Sequence, residues 1–175
     1  MANKLSLPHQ ARELGQYAHY NLDKAAFAIY TLLCNNVQLQ DVASALEKQW
    51  LEQGNEDHLV RRAPAAEFDS LQGAVRAHVA MIKSADAGAA SDLEWWPTGF
   101  IVLVREDWRT NSGGLSFVFA DEEKDYELDK FFFKLEDAYM MLSSLSFGDE
   151  ELARSKVIYG QEFHASPVEG TRHRK

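Results

Sequence analysis

The sequence predicts an α+β fold in which N-terminal helices pack on a three-stranded antiparallel meander followed by two C-terminal helices. Three observations carry this reading. Apolar residues recur at three- and four-residue steps through most of residues 1–84, the period of an amphipathic helix. Three short runs, Gly99 to Arg105, Leu115 to Ala120 and Lys130 to Lys134, have the aromatic and β-branched content or the two-residue alternation of strands. Helical spacing then returns between Leu135 and Tyr159.

From Pro8 to Leu33, residues Leu14, Tyr17 and Ala18, then Ala25, Ile29, Leu32 and Leu33, keep helical steps, with Asn21 and Asp23 placed to end one helix and cap the next. Asn35 and Asn36 break the pattern. A second stripe, Leu39, Val42, Ala43, Leu46 and Trp50, has Asp41 in its first turn and Gly54 where a left-handed C-terminal cap belongs. Asn55 to His58 reads as a turn and Arg61-Arg62 as solvated bases. Pro64 suits the first turn of a further helix with the stripe Phe68, Leu71, Val75, Val79, Ile82. Four helical segments thus precede any strand. This divides the chain into a helical half (residues 1–84), a linker of small residues (85–94), a sheet-plus-helix half (95–160) and a basic-ended tail expected to lack fixed structure (161–175). The two halves are expected to share one compact unit.

The most apolar stretch follows Trp95-Trp96-Pro97-Thr98-Gly99: Phe100, Ile101, Val102, Leu103 and Val104. Side chains alternate across a strand, so both of its faces are apolar and both require cover, from the earlier helices on one side and later elements on the other. Leu115, Phe117 and Phe119 alternate with smaller residues in the second strand. The loop from Asp121 to Asp129 carries six acids and one lysine but lacks the glycine and spacing of a calcium-binding EF-hand, and reads as a solvated acidic loop. In the third strand Phe131 and Phe133 point inward, while Lys130 and Lys134 read as protection of a sheet edge. Leu135 to Leu145 forms one helix, and Asp149 is placed to cap another.

The totals exclude several function classes. At 175 residues the chain suits a single domain. A net charge of -9, with 27 acids against 18 bases, argues against nucleic acid as a partner, because such binding rests on basic side chains that neutralise phosphates. The single cysteine, Cys34, cannot form an internal disulfide and reads as a packed thiol, which places the protein in the cytoplasm or, second, the nucleus. The N-terminus lacks a secretory apolar core, and the chain shows no span-length apolar run and no lipidation motif, so no membrane partner is expected. There is no G-x-S-x-G elbow, and Gly113-Gly114 lies between two strands rather than between a strand and a helix, which leaves no phosphate loop. The six histidines show no metal-ligand spacing, and His78 reads as a hydrogen-bonded core histidine. No cofactor, metal or catalytic residue is assigned.

What remains is a group of residues flanking the two ends of the first expected strand: Trp95, Trp96, Trp108, Arg105, Asp107 and Arg109. Tryptophan and arginine dominate interaction surfaces because they combine large area with a polar handle. Trp95 and Trp96 are adjacent and cannot both enter one core, so one of them is expected to be partly exposed. The expected function is a non-enzymatic interaction or regulatory module, with a protein partner meeting the Trp96/Trp108 region or the acidic loop. The alternative is a small-molecule binding protein or enzyme with an aromatic-lined pocket between sheet and helices, using an acid such as Asp107 or a base such as His78. A concave cavity of roughly 300 to 1,000 Å³ with converging ionisable groups distinguishes the two.

Overall fold

The expected meander is the antiparallel part of a larger sheet. The computed structural model describes residues 3–17, 20–33, 38–86, 92–110 and 113–161. Among these, the strands are β1 (Phe27–Thr31), β2 (Val60–Glu67), β3 (Gly99–Leu103), β4 (Leu115–Asp121) and β5 (Glu127–Phe133), in the spatial order β2-β1-β3-β4-β5. The helices are α1 (Arg12–Gly15), α2 (Leu39–Glu52), α3 (Leu71–Asp86), α4 (Ala138–Ser146) and α5 (Leu152–Tyr159). β1 runs parallel to both of its neighbours, β2 and β3, whereas β3, β4 and β5 pair antiparallel. The class is α+β with a mixed five-stranded sheet. None of the described helices is long and apolar enough to cross a membrane.

Two expectations are corrected. Residues 8–33 are not mainly helical: α1 is one turn, and Phe27 to Thr31 form a strand in which all five residues are buried. A short apolar run covered on both faces satisfies helical and strand spacing alike, and tertiary pairing decided between them. The second correction is β2, which occupies the expected solvated arginines and first helical turn, while Asn55 to His58 precede it outside any helix or strand. Pro64 is tolerated there because β2 is an edge strand whose pairing with β1 is interrupted between Arg62 and Glu67. The following helix starts at Leu71, with the Ser70 hydroxyl accepting from the Gly73 N–H at 3.2 Å. Residues 87–91 of the expected linker, and 162–175 of the expected tail, lie outside the described residues.

The register Ile29-Ile101-Phe117-Phe131 defines one sheet face, and Tyr30-Val102-Ser116-Phe132 the other. α3 covers the Tyr30 face, where Tyr30 meets Phe68, His78 and Phe100. α2 and α4 pack on each other and cover the opposite face, joined by α5 next to β4 and β5. Phe100 to Leu103 are at most 1% exposed, so β3 is enclosed from both sides as its composition required. Glu47 of α2 fixes the start of β2, its carboxylate accepting from the Val60 N–H at 2.9 Å and contacting His58 Nδ1 at 3.1 Å. The outer edge of β5 is occupied at both ends: the Leu128 N–H donates to the His9 carbonyl and the Gln161 N–H to the Phe132 carbonyl. This extends the expected lysine protection of that edge with backbone pairing.

His78 is wholly buried, and desolvation lowers its pKa from the ordinary 6.5 to about 4, against the opposing pull of two backbone carbonyls. The folded protein therefore keeps a neutral imidazole where the unfolded chain already takes up a proton. The stability this confers is complete above pH 6.5 and is lost as pH falls toward 4, on the order of 3 kcal/mol in total. Urea midpoints taken at pH 7 and pH 4.5 are expected to show a steeper loss for the wild type than for His78→Gln. Equal slopes would refute the assignment.

Candidate functional site

The sequence-assigned residues fall into two groups at opposite ends of β3. Beyond the carboxyl end lie Arg105, Asp107, Trp108 and Arg109; before the amino end lie Trp95 and Trp96. A five-residue strand separates them, so they do not form one patch.

The carboxyl end has a topological claim to a ligand. β1 leads to β2 on one side and β2 crosses back to β3 on the other, so the winding reverses between β1 and β3, where open α/β sheets commonly bind ligands. Here that place carries a packed indole. Trp108 is 3% exposed, its N–H donates to Gln38 Oε1 at 3.1 Å, and the Arg109 guanidinium lies 4.2 Å over its ring. Arg105 pairs with Asp107 at 3.0 Å. Gly114 permits this packing, since a Cβ there would stand 2.3 Å from the Trp108 Cα.

The amino end differs. Trp95 is buried under Arg61, whose guanidinium sits 4.5 Å above the ring and also donates to the Glu94 carbonyl. Trp96 is partly exposed and stacks on Phe27, with ring centroids 4.9 Å apart. Its indole forms one wall of a cavity of about 500 Å³ between the end of the sheet and the α4–α5 turn. Leu145 and Leu152 face it from the two helices, and Leu22, Pro97 and Tyr126 complete the apolar lining. Gly148, at φ +75°, makes the tight turn that brings α4 and α5 to this position.

Five carboxylates border the same cavity: Asp121, Glu122, Glu123, Glu150 and Glu151, with no lysine, arginine or histidine among the described lining residues. The acidic loop is hydrogen-bonded at its base. Asp121 Oδ1 accepts from the Glu123 N–H, while Asp125 and Tyr126 are left-handed, at φ 55° and 61°. Such backbone costs about 1 kcal/mol or more per residue, and the Arg12 guanidinium pairs with Asp125 at the protein surface. Glu150 has a basic neighbour in Arg154 at 3.6 Å. The sequence reading missed Leu22, Tyr126, Leu145 and Leu152 as site residues, and took the acids around Asp149 as a helix cap; α5 instead begins at Leu152, after Glu151. The signal present was the coincidence of Trp96 with the acidic loop, which only the fold brings together.

A second cavity, of about 340 Å³, has Lys24, His58 and Arg61 and the acids Glu56, Asp57, Asp92 and Glu94 on its lining. Here bases and acids stand on the same lining, Asp92 also accepting from Asn21. No group of three or more His, Cys, Asp or Glu among the described residues is arranged to hold a metal ion. Cys34 lies outside the described residues. No protein-family model, characterised protein or solved structure matches the chain.

The backbone approach at Gly114 gives a direct check. Gly114→Ala is expected to destabilise the fold by about 2 kcal/mol, because the contact is to main chain that cannot rotate away. A thermal melt within a degree of the wild type would show that the loop after β3 is not packed as described.

Proposed function

We propose that the protein is a non-enzymatic binding module whose ligand is a small organic cation held in the cavity beside Trp96. The observation that carries this reading is the cavity's composition: a concave apolar lining of ligand size with carboxylates and no opposing base among its described residues. A cationic head near the rim meets Glu122, Glu123 and Glu151, and the faces of Trp96 and Tyr126 add cation–π attraction of about 0.5 to 2 kcal/mol. The apolar body of the ligand takes the Leu145 and Leu152 wall. Anionic ligands meet repulsion from every charged lining group.

A protein partner is the second reading, favoured by Leu51, Met140 and Phe147, which are 47%, 57% and 63% exposed on the neighbouring helices α2 and α4 and just after α4. Met140→Ser with Phe147→Ser tests it: unchanged recovery of every interacting protein would end that reading.

For the favoured reading, titration calorimetry with phenylethylammonium and its matched alcohol, phenylethanol, is the test. The ammonium compound is expected to bind at least about tenfold more tightly, equivalent to about 1.4 kcal/mol, with the advantage shrinking as salt is raised. Glu122→Gln combined with Glu151→Gln is expected to remove most of the preference. Equal affinity for the two compounds, or none for either, overturns the proposal.

A further inference from the structure

The segment entering β3 is fixed by groups that come from the far side of the sheet. His78 projects from α3 through the Tyr30 face, its ring 5.8 Å from Tyr30 and 4.6 Å from Phe100. Its Nδ1 lies 2.9 Å from the Tyr30 hydroxyl, and its Nε2 lies 3.0 Å from both the Trp96 and the Pro97 carbonyl oxygens. Carbonyls only accept, so Nε2 bears the proton and donates to both. Nδ1 then accepts from the Tyr30 hydroxyl, which burial keeps protonated. His78 is 0% exposed, so no bulk water can replace the donor if it is lost.

Trp96 depends on this clamp. Its indole N–H is shielded and has no hydrogen-bond partner among the described residues, leaving the ring positioned by stacking on Phe27 and by its own backbone. That backbone is tied on one side by its N–H to the Ala26 carbonyl and on the other by His78.

We propose that His78 is a positioning residue for the cavity: its Nε2–H fixes the Trp96–Pro97 backbone from the opposite face of the sheet, and so sets the indole wall that a ligand meets. The inference goes beyond the cation-binding reading, although its affinity readout rests on it. A glutamine at position 78 places an amide N–H near the Nε2 position and retains the clamp. An asparagine reaches only the Nδ1 position, where it keeps an acceptor for Tyr30 but loses the two carbonyls.

The test uses the full chain labelled with 5-fluorotryptophan, the Trp96 resonance being assigned with Trp96→Phe. His78→Asn is expected to shift or broaden the Trp96 fluorine line and to weaken phenylethylammonium binding at least about tenfold. His78→Gln and Tyr30→Phe are expected to stay within about threefold of the wild type, although Tyr30→Phe lowers the melting temperature. An unchanged Trp96 line and affinity in His78→Asn, or an equal loss in His78→Gln, overturns the proposal. Should the asparagine variant not fold, nitrogen NMR of wild-type His78 decides: a proton on Nε2 protected from exchange supports the clamp, and a proton on Nδ1 with bare Nε2 overturns it. If the wild type fails to bind the probe, the cation reading falls alone, and the Trp96 line still decides the role of His78.

Discussion

β1 and β3 lie side by side in parallel register, Ile29 opposite Ile101 and Thr31 opposite Leu103, and both are closed off from water on both faces. A parallel pair cannot be joined by a tight turn. It needs crossover segments, which here are α2 between β1 and β2 and α3 between β2 and β3. Right-handed crossovers that step across the sheet in opposite directions, β1 to β2 and then β2 to β3, must lie on opposite faces, so the connectivity that forms the pair also supplies its cover. Burying a Phe, Ile or Leu side chain contributes roughly 1.5 to 3 kcal/mol, and the two strands carry several. The antiparallel β4 and β5 then extend the sheet by local pairing alone.

That constraint makes the two ends of β3 unlike. At its carboxyl end the winding reverses and a crevice would open, but Trp108 packs into it, its indole hydrogen-bonded to Gln38 beside the start of α2. At the amino end the crossover helix α3 reaches the chain from the Tyr30 face, through His78. α4 and α5 close over that end only partly, and Leu145 and Leu152 stand across a gap from Trp96 rather than on it. The acidic loop between β4 and β5 borders the same gap. Glu122 and Glu123 of that loop are exposed to water, while the apolar wall behind them reduces screening toward the cavity.

The buried polar groups follow the same logic. Tyr30 of β1 and His78 of α3 meet in the buried interior, and such groups are tolerated only when their hydrogen bonds are completed. The carbonyls of Trp96 and Pro97 sit where the chain has not yet entered the ladder. One imidazole satisfies these groups and joins the two faces of the sheet.

By itself, the sequence determined the elements whose signal is local. α2, α4 and α5 follow from helical stripes, and β3, β4 and β5 from two-residue alternation or from an apolar run too long for one-sided burial. It also determined that β3 would be covered twice, that Trp95 and Trp96 would differ in exposure, and that His78 would be a core residue. Tertiary structure alone decided that Phe27 to Thr31 and Val60 to Glu67 are strands, because five buried residues fit either period and Pro64 is acceptable only at an edge that the sequence does not mark. It alone built the cavity, whose walls come from Leu22, Trp96, Tyr126, Leu145 and Leu152. Local patterning records which side of an element avoids water. Which distant elements meet depends on the order in which strands join the sheet, and that order is set by the whole buried surface at once.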